Sequence, residues 1–180
     1  IKEYGDVLHD PSSIVDRPLE VLSVGPKLDI ALGGGVPEGS LFIMTGPEKV
    51  GKTVTALTFC ANAQKHYQRK VYYANIEGRL KKRDLEGIVD LSLDSEKMQI
   101  IGSTEGNILS AEKYLSIVDN IVHTQPGSLA VVDSFSALSS EAELTGDLSD
   151  MQVMSVQKVL AKFCRRISNV LPINRVTVIG

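Results

Sequence analysis

Eight consecutive residues, Gly46 to Thr53, have the sequence Gly-Pro-Glu-Lys-Val-Gly-Lys-Thr, which matches the pattern of a phosphate-binding loop. The two glycines allow backbone N–H groups to close around phosphate oxygens at the start of a helix. We expect Lys52 to meet the β- and γ-phosphates of ATP, and the Thr53 hydroxyl to bind Mg²⁺. The predicted ATP-binding residues are Gly46, Pro47, Glu48, Lys49, Val50, Gly51, Lys52, Thr53 and Val54.

The alternative is a glycine-rich loop that binds nothing. It is disfavoured because an apolar run precedes the loop and a stretch rich in helix-forming residues follows it. A strand before the loop and a helix after it are the context that a phosphate-binding loop requires.

Two acidic residues could complete such a site. Asp133 ends an apolar run and is the expected carboxylate that shares Mg²⁺ with Thr53, although an aspartate that begins a turn is the simpler alternative. Glu77 follows another apolar run and could orient or deprotonate the water that attacks the γ-phosphate. For Glu77 the spacing alone favours a solvated turn residue before Gly78.

A cationic helix face is predicted near the end of the chain. The helix expected at 154–170 has apolar residues at spacings of three and four, and its basic residues lie opposite them. These basic residues are Lys158, Lys162, Arg165 and Arg166. The common interpretation is a solvated helix face; the more specific one is a surface that pairs with the phosphates of a DNA strand.

The elements around these groups alternate between strands and helices. Strands are predicted at 41–44, 71–74, 98–101, 129–132 and 176–179, and helices at 52–65, 111–123 and 154–170. Because the strands are almost continuously apolar, the predicted fold class is α/β, with a mostly parallel sheet covered by helices on both faces.

Composition excludes several classes of protein. The formal net charge of −3 gives no general attraction to nucleic acid, so a DNA contact needs a local basic surface. No run of about 18 apolar residues occurs and no secretory signal is recognised, so we expect a soluble cytoplasmic protein without a membrane partner. The cysteines and histidines have no disulfide or metal-ligand spacing, so we assign them no chemistry.

Two parts of the chain differ in pattern. Residues 1–21 contain glycine, prolines and charges with little periodicity, and are predicted to be a lead-in segment. Residues 22–180 are predicted to form one nucleotide-binding core. Because the last predicted strand ends at Gly180, we expect this core to be truncated at its C-terminal side.

The sequence resembles the RecA family from about Leu22 to Gly180, and more narrowly the UvsX-type recombinases of tailed phages. Four groups of residues carry the resemblance. They are Leu28-Asp29-Ile30-Ala31-Leu32-Gly33, the loop Gly-Pro-Glu-x-x-Gly-Lys-Thr, Glu-Gly-Arg-Leu from Glu77, and Val131-Val132-Asp133-Ser134 with Ala137-Leu138.

The resemblance implies a RecA-type P-loop NTPase core with ATP and Mg²⁺ as cofactors. It implies a DNA-dependent ATPase that forms a helical filament, a homo-oligomer, on single-stranded DNA and acts in strand exchange and repair. It also implies that Glu77 is the catalytic glutamate, which reverses the interpretation from spacing alone, and that Lys52 assists it. In a phage protein the location would be the host cytoplasm.

The resemblance further implies a DNA-binding surface. The segment 143–154, which contains Gly146 and Val153, corresponds to the first DNA-binding loop, and Lys158 and Arg165 match basic positions that face the strand. Lys2-Glu3-Tyr4-Gly5 resembles the end of the family's N-terminal polymerisation element. Residues 1–21 are therefore expected to be a remnant of that element.

The chain departs from the family pattern at three positions. Asn75 replaces an aspartate, Val54 replaces a second threonine, and Asp84 is near the position of an aromatic residue that stacks on adenine. The resemblance therefore predicts no residue for the adenine ring.

Two other functions remain open at this stage. One is a RecA-like paralogue that binds ATP to regulate assembly without strand exchange. The other is a small-molecule kinase, which needs an acceptor pocket and a lid, and the sequence indicates no lid.

Overall fold

The computed structural model describes residue 12, residues 18–146 and residues 155–180. The strands in these ranges are β1 (Val21–Leu22), β2 (Val36–Pro37), β3 (Leu41–Phe42), β4 (Val71–Asn75), β5 (Met98–Ile101), β6 (Leu129–Asp133) and β7 (Thr177–Ile179). The helices are α1 (Pro26–Leu32), α2 (Lys52–Tyr67), α3 (Lys82–Glu86), α4 (Ala111–Thr124), α5 (Glu141–Thr145), α6 (Ser155–Ser168) and α7 (Leu171–Asn174), and a 3₁₀ turn spans Phe135–Ala137.

Five strands form one parallel sheet in the order β3, β7, β6, β4, β5. β1 and β2 form a separate antiparallel pair. Because the strands of the large sheet are parallel, their carboxyl ends lie at one edge, where the loop before α2 begins. The predicted α/β fold class is confirmed. No helix in the described ranges is long and apolar enough to cross a membrane.

Alternating residues of the central strands pack against helices on the two faces of the sheet. Tyr73 and Val131 belong to the core on the face that α2 covers. Ala74 and Val132, one residue further along, belong to the core that α4 and α6 cover on the opposite face. The central strands β4, β6 and β7 are buried on both faces, which is why they have no polar alternation.

The long helices agree with the sequence predictions. α4 begins after its N-cap Ser110, whose side chain accepts a hydrogen bond from the Lys113 N–H. In α6 the predicted apolar stripe includes Phe163 and Ile167, which are both buried. Cys60 is buried, whereas Cys164 is only half-buried, so the two thiols have different surroundings.

No strand or helix is predicted from the sequence between residues 21 and 40, and the structure contains three short elements there. β1, α1 and β2 lie there, with the Asp29 carboxylate accepting hydrogen bonds from the Ser23 hydroxyl and the Val24 N–H. Two-residue strands and a seven-residue helix are too short to produce a periodic pattern. The two strands are defined instead by their antiparallel pairing, in which Leu22 is opposite Val36. We call β1, α1 and β2 together the hairpin.

A buried ion cluster fastens this hairpin to the bottom of the sheet. The Arg69 side chain is 6% exposed, and its Nη2 lies 2.6 Å from Glu38 Oε2 and 2.5 Å from Glu20 Oε2. Its Nη1 donates to the carbonyl oxygens of Gly127 and Arg175. Because Arg69 lies two residues before β4, the cluster joins the hairpin to the starts of β4, β6 and β7.

Replacement of Arg69 tests this cluster. We expect Arg69→Ala to lower the free energy of unfolding by about 3 kcal/mol, because the Glu38 carboxylate, 3% exposed, then stays buried and loses its closest cation. Among the described residues it keeps the Arg175 guanidinium at 3.6 Å and a hydrogen bond from the Glu20 N–H at 3.4 Å. Urea denaturation measures the loss. The control is Lys65→Ala, which breaks the exposed pair with Asp90 and should cost less than about 1 kcal/mol. Equal losses in the two variants would contradict a structural role for the cluster.

Candidate nucleotide-binding site

The loop from Gly46 to Gly51 joins the end of β3 to the start of α2. Gly46, Lys49 and Gly51 have positive φ angles of 157°, 61° and 95°. Glycine adopts such conformations without steric cost, which explains the two glycines of the motif. Gly51 is the N-cap of α2, so the unpaired N–H groups of the first helical turn lie at the loop, where a phosphate is stabilised.

Lys52 closes over the loop that precedes it. Its Nζ donates to the carbonyl oxygens of Gly46 and Pro47, at 2.7 Å each. The ammonium group is therefore held beside the loop amides rather than extended into solvent. A cation at this place adds to the positive potential of the helix N-terminus.

Thr53 and Asp133 are in direct contact. The Thr53 hydroxyl donates to Asp133 Oδ2 at 3.0 Å, across 80 residues of sequence. The contact arises because β6, the central strand, ends beside the loop from β3, from which only β7 separates it. The sequence prediction requires this proximity, and the structure provides it.

Glu77 is attached to the same edge by the backbone. The Ile76 and Glu77 N–H groups donate to the Asp133 carbonyl at 2.9 and 3.4 Å, so the ends of β4 and β6 stay together. The Glu77 carboxylate accepts a hydrogen bond from the Ser134 hydroxyl at 3.0 Å, and Arg79 lies 3.4 Å from its other oxygen. Its side chain is 33% exposed and can still meet water.

Tyr73 is a residue of this site that sequence reasoning missed. It is fully buried in β4, and its hydroxyl donates to Asp133 Oδ2 at 2.6 Å. Burial, followed by the nearby Asp133 carboxylate, raises the pKa of Tyr73, so the phenol keeps its proton. An apolar run gave no signal for it, because a tyrosine inside such a run is usually a core residue.

The glycine-rich loop, the start of α2, Glu77 and Asp133 line one cleft of about 820 Å³, which is large enough for a nucleotide. Of the predicted ATP-binding residues, Pro47 and Val50 do not line it, and Gly46, Glu48, Lys49, Gly51, Lys52, Thr53 and Val54 do. Ser134 lines the same cleft. Leu80 and Asp84 also line the cleft, and Asp84 additionally accepts a hydrogen bond from the Lys81 N–H at the start of α3.

The donor atoms fit a hydrated Mg²⁺ held together with a nucleotide. Within the described residues, no group of three or more His, Cys, Asp and Glu side chains could hold a metal without other ligands. Mg²⁺ in nucleotide sites uses one or two protein oxygens, the phosphates and water. Thr53 and Asp133 supply such oxygens, and the loop amides supply the phosphate contacts.

The basic residues of α6 do not form one uniform face. Arg166 is engaged by Asp119 of α4, with its Nε at 3.1 Å and its Nη2 at 2.8 Å from the two carboxylate oxygens. Lys158, Lys162 and Arg165 are exposed and form no ion pair with the described residues. They are spaced by four and three residues, so they share one side of the helix. Arg166 is thus removed from the cationic face that the sequence predicts.

The predicted DNA-binding loop is only partly described. Gly146 is exposed and is the C-cap of α5. Val153 and the rest of 147–154 lie outside the described residues.

The parallel sheet and the glycine-rich loop between β3 and α2 define the class of the domain, a P-loop α/β core. The chain belongs to the RecA family, because the RecA N-terminal domain matches residues 5–180. Protein RecA of Streptomyces venezuelae is 35% identical over 165 residues, and Protein RecA of Rippkaea orientalis is 32% identical over 158 residues. DNA repair protein recA homolog 3, mitochondrial, of Arabidopsis thaliana is 31% identical over 182 residues.

The alignments cover most of this chain but less than half of each relative. They include 91%, 83% and 97% of this chain for the Streptomyces, Rippkaea and Arabidopsis proteins. The chain spans between 39% and 41% of the length of these relatives. The family is therefore established for the described core, which is RecA-type.

Proposed function

We propose that this chain is the ATP-binding core of a recombinase that assembles on single-stranded DNA and promotes strand exchange in DNA repair. The observation that carries the proposal is the contact between Thr53 and Asp133 at 3.0 Å, with Glu77 fastened beside it, in a chain of the RecA family. A phosphate cradle, a metal-side carboxylate and a water-activating carboxylate are together what ATP hydrolysis needs.

The nucleotide is held through its phosphates. Amides of the loop from Gly46 to Gly51 and of the first turn of α2 bind phosphate oxygens, and the Lys52 ammonium exchanges its two carbonyl partners for the β- and γ-phosphates. Thr53 and Asp133 would hold Mg²⁺. When bound, Mg²⁺ would neutralise charge on the phosphate oxygens.

Glu77 acts as the base in hydrolysis. Its carboxylate accepts a proton from the water that attacks the γ-phosphate, and the Ser134 hydroxyl fixes one of its oxygens at 3.0 Å. The partial exposure of the Glu77 side chain lets water reach the carboxylate, and Arg79 lies beside its other oxygen. Hydrolysis then serves as a switch that loosens the protein from DNA.

DNA binding is assigned to α6 and to the segment before it. Lys158 and Arg165, with Gly146 and Val153 of the segment 143–154, contact the strand. The exposure of Lys158 and Arg165 supports this assignment, since both guanidinium and ammonium groups are available to phosphates. The net charge of −3 means that such a local surface must supply the affinity.

Assembly into a filament belongs to the whole protein. We propose that residues 1–21 belong to a polymerisation segment and that residues 22–180 form the ATP-binding core. The narrower resemblance to UvsX-type phage recombinases rests on the same motifs.

The first test separates nucleotide binding from hydrolysis. In the full-length protein, Glu77→Gln should retain ATP affinity within about twofold and lose at least about 100-fold in turnover, because it removes a base and leaves the phosphate cradle. Nucleotide titration and phosphate release measure the two quantities, with and without single-stranded DNA.

Glu86→Gln is the matched control, since Glu86 is exposed on α3 and its ion pair is with Lys82. It should hydrolyse ATP at the parent rate. Equal hydrolysis by Glu77→Gln and the parent would defeat the assignment of the base. ATP binding without DNA-stimulated hydrolysis in the parent would favour a RecA-like paralogue that only regulates assembly.

The second test concerns DNA. Reversing Lys158 and Arg165 to glutamate in the full-length protein should weaken single-strand binding and reduce the slope of log K against log salt by about 1 to 2, because two phosphate contacts are lost. Fluorescence anisotropy at several salt concentrations measures the slope. Lys65→Glu with Lys97→Glu changes the net charge equally at the far edge of the sheet and should leave the slope intact. If both double variants have the same slope of log K against log salt, the basic residues of α6 are a solvated helix face and not a DNA-binding surface.

A further inference from the structure

Tyr73 places a hydroxyl group in the core directly behind Asp133. The side chain is fully buried between β4 and α2, on the same face of the sheet as the helix that follows the phosphate loop. Its hydroxyl lies 2.6 Å from Asp133 Oδ2. A buried hydroxyl is costly unless it is paired, and a phenylalanine would fill the same space without that requirement.

Asp133 Oδ2 therefore accepts hydrogen bonds from two side chains. Tyr73 donates from the core, and Thr53 donates from the first turn of α2 at 3.0 Å. Hydrogen bonds to an ionised carboxylate are short and strong, and two of them on one oxygen fix the side-chain rotamer. Within the described part of the chain, the other oxygen, Oδ1, accepts no side-chain hydrogen bond, so it is available to a ligand in the cleft that Asp133 lines.

We propose that Tyr73 is a positioning residue for the metal side of the nucleotide site. Its phenol holds the Asp133 carboxylate in the orientation that would receive the water shell of Mg²⁺. Because Thr53 is the donor in its own hydrogen bond to Asp133, its oxygen lone pairs stay available to the ion. The inference rests on the proposed function, because it concerns the same ATP site. It adds a residue of the core that touches neither nucleotide nor metal and acts through Asp133.

The neighbouring tyrosine supplies an internal comparison. Tyr72 precedes Tyr73 in β4, is 6% exposed, and points to the other face of the sheet. Its hydroxyl donates to Gln125 Oε1 at 2.9 Å, remote from the cleft. The two tyrosines thus lie in the same strand, are similarly buried, and each donate one hydrogen bond from the hydroxyl group. They differ in the acceptor, which is Asp133 only for Tyr73.

The test uses Tyr73→Phe and Tyr72→Phe in the full-length protein. Binding of a fluorescent ATP analogue is titrated with Mg²⁺, and again in the presence of a chelator. For Tyr73→Phe we expect metal-free nucleotide affinity to stay within about twofold, while the Mg²⁺ concentration at half-saturation rises about three- to tenfold. Tyr72→Phe should leave both quantities unchanged, and thermal unfolding without nucleotide checks that each variant is folded.

A double-mutant cycle keeps the role distinct from general stability. In the Asp133→Asn background, Tyr73→Phe should add less than about twofold to the Mg²⁺ requirement, because the carboxylate through which Tyr73 acts is gone. The proposal is overturned if Tyr73→Phe and Tyr72→Phe have the same Mg²⁺ requirement, or if the full Tyr73 effect persists in the Asp133→Asn background. A parent protein that shows no Mg²⁺-dependent nucleotide binding would instead defeat the proposed function, and this inference with it.

Discussion

The hydrogen bond between Thr53 and Asp133 is the contact on which the site depends, because it joins the phosphate loop to the central strand of the sheet. Without it, no side-chain hydrogen bond within the described residues would join Thr53, at the start of α2, to Asp133, at the end of β6. With it, the oxygen atoms of a hydroxyl and a carboxylate that are far apart in sequence become neighbours beside a set of backbone amides. The other groups of the site are arranged around this pair.

The parallel sheet makes the contact possible. Its strands end at one edge, and backbone bonds from Ile76 and Glu77 to the Asp133 carbonyl hold the ends of β4 and β6 together. The core behind that edge is packed on both faces, so the polar ends have little freedom to separate. Tyr73 belongs both to the core and to this edge of the sheet, since its ring is buried and its hydroxyl group donates to the Asp133 carboxylate. The core and the chemistry of the site are thus linked at one residue.

The proximity of Asp133 to the glycine-rich loop could be predicted from the sequence, because it depends on local spacing and on the ends of apolar strands. For Glu77 a role could be predicted only by resemblance, since one glutamate before a glycine carries no specific signal. The contacts of Tyr73 and Ser134 could not be predicted, because they depend on which way side chains point between strands that are distant in sequence.

Contacts between distant parts of the chain also explain why the roles of Arg166 and of β1 and β2 differ from the sequence predictions. Arg166 belongs to a basic helix face in sequence, but it faces Asp119 on the adjacent helix, and only the packing of α4 against α6 reveals that pairing. The hairpin of β1 and β2 escaped prediction because each strand has two residues. Short elements defined by pairing leave no periodic pattern in the sequence.

We propose that residues 46–53 hold a triphosphate whose metal ion is bound between Thr53 and Asp133. Anomalous diffraction from crystals of the full-length protein with Mn²⁺ and a non-hydrolysable ATP analogue locates the ion. We expect one metal peak about 2.1 Å from Thr53 Oγ1, with the Asp133 carboxylate in its coordination shell or bonded to a coordinated water. A metal peak remote from Thr53, or phosphates outside the loop, would contradict it.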